Sequence, residues 1–185
     1  MNFNRHFELE GKHAFLSPSQ YHWINYDEDK LLSSYMNFKA KERGTRLHAF
    51  AKECIELGIK LPKSNKTLNM YVNDAIGYKM TPEQPLYFSE NCFGTADAIS
   101  FKSNMLRIHD LKSGSTPASM NQLLVYSALF CLEYEFDPID ISFELRIYQG
   151  DQVLVHNPGA KEIQPIISKI IEFDKILNNI QEERG

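Results

Sequence analysis

Asp97, Asp110 and Lys112 are the residues whose types and spacing point most directly to chemistry. They lie in Gly94-Thr95-Ala96-Asp97-Ala98-Ile99 and, after a short polar turn, in Ile108-His109-Asp110-Leu111-Lys112. Carboxylates can hold a hard divalent cation, and an amine beside them can handle the proton of a water. Together they form the minimal kit for metal-assisted hydrolysis of a phosphodiester.

Such a set works only if neighbouring strands hold it. Residues 86–89, 92–101 and 105–111 are rich in aromatic and aliphatic side chains and read as strands. Lys102-Ser103-Asn104 reads as the tight turn of an antiparallel hairpin between the last two. Alternation puts Ile108, Asp110 and Lys112 on one face, with Asp97 on the next strand able to point the same way. His109 faces the other way and reads as structural, and Glu90 is a candidate for an outer carboxylate.

Helices must flank these strands. Leu47, Ala51, Cys54 and Ile55 recur at helical spacing after Gly44-Thr45, with Phe50 and Leu57 widening the stripe. Thr45 reads as the cap and Gly58 as the stop, which places His48 on the first turn. Residues 59–83 read as a polar loop with a short helix near 68–76. Pro117 opens a helix to about Glu133 that is apolar almost all round, the pattern of a helix sandwiched against a sheet. Residues 139–148 and 152–156 read as strands joined at Gln149-Gly150-Asp151, and an amphipathic helix covers 159–181. Near the N-terminus, Ser17 or Ser19 caps a short helix beginning near Pro18, with Trp23 and Ile24 packing from it. The order predicts the α/β class, a mixed sheet with helices on its faces.

A length of 185 residues predicts one domain. No apolar run reaches the roughly 18 residues of a membrane span. Met1 to His6 lacks the apolar stretch of a signal peptide, so a cytoplasmic location is expected. Cys54, Cys92 and Cys131 are far apart, which argues against a sequence-local zinc or iron–sulfur site and for three buried small side chains. The net charge of −4 looks wrong for a partner of nucleic acid, but its distribution matters more. Residues 38–66 carry Lys39, Lys41, Arg43, Arg46, Lys52, Lys60, Lys63 and Lys66 against Glu42, Glu53 and Glu56, a net of +5, and the remainder carries −9. A local basic field of that kind can meet phosphates. Glu42 and Glu53, beside the histidine, read as partners of nearby lysines.

Gly94-x-x-Asp97 followed by Asp110-Leu111-Lys112 resembles the core of the PD-(D/E)XK nucleases. The resemblance is closer to their RecB-like branch. That branch also carries a histidine in a Gly-Thr-x-x-His setting upstream and a Gln-x-x-x-Tyr in the helix after the lysine. Here these are Gly44-Thr45-Arg46-Leu47-His48 and Gln122-Leu123-Leu124-Val125-Tyr126, in the matching order. Leu16-Ser17-Pro18-Ser19 resembles the Leu-Ser-x-Ser segment of phage-encoded members, and the match spans about residues 15–130.

The resemblance implies a restriction-endonuclease-like core, a central mixed β-sheet flanked by helices, and a single nuclease domain over residues 1–185. It implies His48, Asp97 and Asp110 as side-chain metal ligands, with the Leu111 backbone carbonyl completing the shell. Lys112 would be the catalytic lysine. Gln122 and Tyr126, one helical turn apart, would orient it or contact the DNA backbone. Arg43 and Arg46 would also meet DNA. Oxygen donors with one imidazole favour Mg2+ or Mn2+. The four cysteines of iron–sulfur relatives are missing, and no Gly-x-x-x-x-Gly-Lys-Ser/Thr loop marks a helicase motor. The expected activity is a phage-type DNA exonuclease in recombination or end processing, working with a single-strand annealing or other recombination protein. The alternatives are a structure-specific or single-strand endonuclease, or a non-catalytic nucleic-acid-binding or host-defence-interaction protein on the same scaffold.

Overall fold

The computed structural model describes residues 14–182. The chain divides into two units, Met1–Arg43 and Gly44–Gly185. In the first, a 3₁₀ helix covers Pro18–Asn25. Trp23 Nε1 donates to the Ser17 carbonyl at 3.0 Å. Ser17 and Ser19 bond one another through Oγ at 2.8 Å instead of capping the backbone. Trp23 is half-buried, whereas Ile24, expected to pack, is 63% exposed.

Helix α1 spans Glu28–Leu57. Asp27 opens it, its Oδ1 accepting the Lys30 N–H at 2.8 Å and its carbonyl the Leu31 N–H at 2.9 Å. The start expected at Gly44-Thr45 is therefore corrected. A helical glycine costs only about 1 kcal/mol against alanine, and residues 28–43 hold no proline, so the helix runs through Gly44. It ends as expected at Gly58, whose φ is +67°.

The second unit holds the C-terminal part of α1, then α2 (Thr67–Gly77), β1 (Thr81–Ser89), β2 (Cys92–Lys102), β3 (Met105–Leu111), α3 (Asn121–Glu133), β4 (Ser142–Gln149), β5 (Gln152–His156) and α4 (Ala160–Glu182). The strands form one mixed sheet in the order β1-β2-β3-β4-β5. Only β3 and β4 run parallel, with α3 as their crossover. Ser103 and Asn104 both take positive φ, 52° and 57°, as a two-residue primed turn requires.

Three further boundaries differ from those expected by three residues or more. β1 begins at Thr81, not at residue 86, because Pro82 and Pro85 are tolerated on an edge strand. α3 begins at Asn121, not Pro117, because the Gln149 side chain holds the preceding segment out of the helix. Its Oε1 accepts the Ala118 N–H at 3.1 Å, and its Nε2 donates to the carbonyls of Gly114 and Thr116 at 2.7 and 2.8 Å. β4 begins at Ser142, since Asp137 turns the chain by accepting the Ile139 N–H at 3.0 Å, and Ile139 is left exposed.

Two apolar cores sandwich the sheet. Leu123, Ala128 and Leu129 of α3 and Ile163 and Ile167 of α4 pack on Leu106, Ile108, Leu145 and Ile147. Ala51, Cys54 and Ile55 of α1 and Tyr71, Val72 and Ala75 of α2 pack with Ala98, Leu111 and Tyr148. Each fully buried large aliphatic contributes about 1.5–3 kcal/mol, so these layers fix the strand ends that carry the polar residues below. Cys54 and Cys131 are buried, Cys92 is half-buried, and all three are free thiols. Among the described residues no helix is long and apolar enough to cross a membrane.

Candidate metal centre

The strand register builds the site. β2 and β3 pair as far as Ala98 with His109, and one step further sets Asp97 across from Asp110. β1 pairs Pro82 with Ala98 and Gln84 with Ala96, so Glu83 stands across from Asp97. Glu83, Asp97 and Asp110 therefore form one row over three strands. Glu83 takes φ +49°, the left-handed region that L side chains rarely adopt. Strain of that kind, held between two prolines, persists where the surroundings fix it and collects at functional positions.

His48 reaches this row from α1. Its Nδ1 lies 3.5 Å from Asp97 Oδ1 and 3.8 Å from Glu83 Oε1. One ligand atom from each of His48, Glu83 and Asp97 fits within a 4.8 Å span. The hydrogen bond to Asp97 raises the His48 pKa, against the opposing effect of burial, and the Leu111 backbone adds to the rise. Asp97 also closes the ladder: its Oδ2 accepts the Leu111 N–H at 2.8 Å.

Asp110 is 3% exposed. Its Oδ1 accepts from Lys112 Nζ at 3.0 Å, and its Oδ2 is buried with no hydrogen-bond partner among the described residues. Burial first, and then the charge of Asp97, push its pKa up, more than Lys112 and His48 pull it down. An orphaned carboxylate oxygen is costly and calls for a positive partner. Lys112 Nζ has a second anchor, Gln122 Oε1 at 2.9 Å, so α3 holds the amine.

Tyr126 serves a different neighbour. Its hydroxyl donates to the Thr95 carbonyl at 2.6 Å, and a Cβ at Gly94 would lie 3.0 Å from its ring. The glycine is where the aromatic ring passes over β2. Gly44 plays a similar part on α1, where a Cβ would lie 3.0 Å from Ser113 Oγ. Arg43 and Arg46 are exposed on α1. Glu90 is exposed in the β1–β2 turn and accepts from the Tyr87 hydroxyl at 3.2 Å. It is not among the grouped ligands, and Glu83 takes the place considered for it. Glu42 pairs with Lys39 at 2.9 Å.

Glu83 escaped the sequence reading because it stands in a proline-flanked stretch that reads as loop. The signal that could have found it is register, since an acid across from Asp97 completes the row. Lys52, one helical turn after His48, lines the same cleft of about 520 Å³ with Glu83 and Asp97. Tyr71 of α2 is buried beneath, and its hydroxyl pKa is raised by burial first and then by the charges of Asp97, Glu83 and Asp110. His109, on the α2 side of the sheet, packs against Tyr78 and Tyr148.

The donor set of two carboxylates and one imidazole suits a hard divalent cation. Asp110, expected as a ligand, is not in the His48–Glu83–Asp97 group; its buried Oδ2 has no hydrogen-bond partner among the described residues. No protein-family model, curated protein or solved structure matches the chain.

Proposed function

We propose that this chain is a divalent-metal-dependent nuclease with a restriction-endonuclease-like core, of the PD-(D/E)XK type in its RecB-like branch. The observation that carries the reading is the buried Asp110 Oδ2, unpartnered among the described residues, at the end of the acid row, with Lys112 on the other oxygen. His48, Asp97, Asp110 and the Leu111 carbonyl would hold Mg2+ or Mn2+, with Glu83 as a further carboxylate. The cation, when bound, supplies charge to polarise a phosphate and lowers the pKa of a coordinated water.

The chain's own residues supply the positioning. Lys112 Nζ spends two of its three N–H donors on Asp110 Oδ1 and Gln122 Oε1. The third is left for the attacking water or for the charge that develops on the phosphoryl oxygens. Gln122 is a positioning residue for that amine, and Tyr126 positions the Gly94 turn. The exposed Arg46 and Lys52 lie on the α1 stretch that bears His48, and offer positive charge to a phosphate backbone.

The substrate is DNA, and the activity is an exonuclease of the phage type that processes ends for recombination beside a single-strand annealing protein. End-labelled linear single- and double-stranded DNA should be degraded with Mg2+ or Mn2+ and spared in EDTA. A covalently closed circle should survive; cutting of the circle favours the endonuclease reading instead. Absence of cleavage of DNA or RNA with either metal contradicts the proposal.

A further inference from the structure

We propose that the loop over residues 58–66 is a second nucleic-acid contact, a rigid rail on which Lys60, Lys63 and Lys66 hold the phosphate backbone away from the scissile bond. The inference rests on the nuclease reading for its choice of polyanion, and three observations carry it.

The loop is built rather than slack. Asn73 of α2 clamps Leu61 on both sides, its Oδ1 accepting the Leu61 N–H at 2.9 Å and its Nδ2 donating to the Leu61 carbonyl at 3.0 Å. Asn69 Nδ2 donates to the Pro62 carbonyl at 2.8 Å and to Ser64 Oγ at 3.0 Å. Asp151 fixes the end of the loop. Its Oδ1 accepts the Thr67 N–H and hydroxyl at 2.9 and 3.1 Å, and its own N–H donates to Thr67 Oγ1 at 2.7 Å. A loop held this way has already lost the freedom that binding would otherwise cost.

Its charge is met by one nearby acid only in part: after the bonds from Thr67, Lys66 lies close enough to Asp151 to help hold that carboxyl below its usual range, without forming an ion pair with it. No acidic residue occurs between Glu56 and Asp74. All three lysines are exposed, and none forms an ion pair among the described residues. Asp74, at the far side of the groove, is committed to Arg146 at 3.0 Å and to the Tyr148 hydroxyl at 2.7 Å. Lys60, Lys63, Ser64 and Asn65 line that groove, of about 740 Å³, with cationic and neutral polar groups. A chain of net charge −4 concentrates positive charge here against its own average.

The loop also lies at the reactive end of the sheet. β3 and β4 are parallel and in register, Leu111 beside Tyr148, so their C-terminal ends are neighbours. Lys112 N–H donates to the Tyr148 carbonyl at 2.9 Å. β4 then turns through Asp151, the residue that holds the loop. The rail thus begins beyond the adjacent strand, about 5 Å of strand spacing from β3 before the loop extends further. A backbone leaving Lys112 past the end of β4 would run toward the end of this loop at Thr67 and Lys66.

The test is anisotropy of a fluorescein-labelled single-stranded oligonucleotide in EDTA, titrated over a range of salt, so that binding is read without cutting. Lys60→Gln, Lys63→Gln and Lys66→Gln together should weaken binding at least about tenfold. The dependence of log K on log salt should flatten by about 2, since each lost phosphate contact removes about 0.7. A control, Lys102→Gln with Lys161→Gln and Lys175→Gln, removes equal charge elsewhere and should bind nearly as the parent does. Loop-variant binding equal to the parent's, an equal loss in the control, or no salt-dependent binding by the parent overturns the proposal. Cleavage with Mn2+ is scored separately. A parent that binds through the loop yet cuts nothing overturns the nuclease reading and leaves the rail standing. A parent that cuts while binding ignores the three lysines overturns the rail alone.

Discussion

Lys112 and Glu83 touch the same site in different ways, and their substitutions should separate. Lys112 holds Asp110 Oδ1 but is not a metal donor, whereas Glu83 lies within the span of His48 and Asp97. Lys112→Ala should leave Mn2+ affinity by calorimetry within a few-fold while lowering kcat about 100- to 1,000-fold, the usual range for a lost donor to developing charge. Glu83→Gln should weaken Mn2+ affinity about 10- to 100-fold. Unchanged turnover in the first or unchanged affinity in the second removes that residue from its role. The pairing of Asp110 with Lys112 is legible from strand alternation, whereas the side that Asp97 faces is not, because its neighbours Ala96 and Ala98 enter opposite cores. Glu83 is not legible either, because prolines mask the strand that carries it and only the paired register shows what it faces.

At the scale of elements, two glycines meet equal distances and should answer in opposite directions. A Cβ at Gly94 would lie 3.0 Å from Tyr126, whose ring is pinned by its 2.6 Å bond to Thr95. Gly94→Ala should therefore destabilise by about 1–3 kcal/mol, and Tyr126→Leu in the same chain should recover part of the loss. A Cβ at Gly44 would lie 3.0 Å from Ser113 Oγ, a small rotatable group in an exposed loop. That hydroxyl can turn away, so Gly44→Ala should gain up to about 1 kcal/mol of helix propensity. Denaturant midpoints of both variants check the pair; destabilisation of similar size in both contradicts the argument. The hairpin and the buried α3 are readable as pattern, since turn chemistry and apolar periodicity agree there. The start of α1 is not, because Gly44-Thr45 looks like a boundary while its actual reason is close approach of the Ser113 loop. The start of α3 fails for a related reason: Gln149, distant in sequence, holds residues 114–118.

Across the whole molecule, the buried polar layer under the sheet sets a pH limit on stability. His109 is fully buried, with Arg107 of β3, Arg146 and Tyr148 of β4, and Tyr78 and Asp74 near α2 around it. Burial, and then Arg146 and Arg107, push its pKa down from 6.5 to about 3. Above about pH 6.5 both the folded and unfolded chains carry it neutral, and stability is intact. Between about 6.5 and 3 only the unfolded chain takes up the proton, so stability should fall by about 1.4 kcal/mol per pH unit well below 6.5. Urea midpoints from pH 7 to pH 4 should show this slope in the parent and a shallower one in His109→Gln; equal slopes contradict it. Charge asymmetry is also visible from sequence at this scale, but only the fold ties the end of the loop over residues 58–66, through Thr67 and Asp151, to the turn that follows β4.

All of these depend on whether the acid row around Asp110 cuts phosphodiesters. The direct measurement is release of labelled nucleotides from end-labelled linear DNA in Mn2+ by the parent and by Asp110→Ala, side by side. The account predicts metal-dependent release by the parent and a loss of at least about 100-fold in the variant, as expected when a group central to transition-state charge is removed. Equal cutting by the two, or no cutting by the parent, contradicts it.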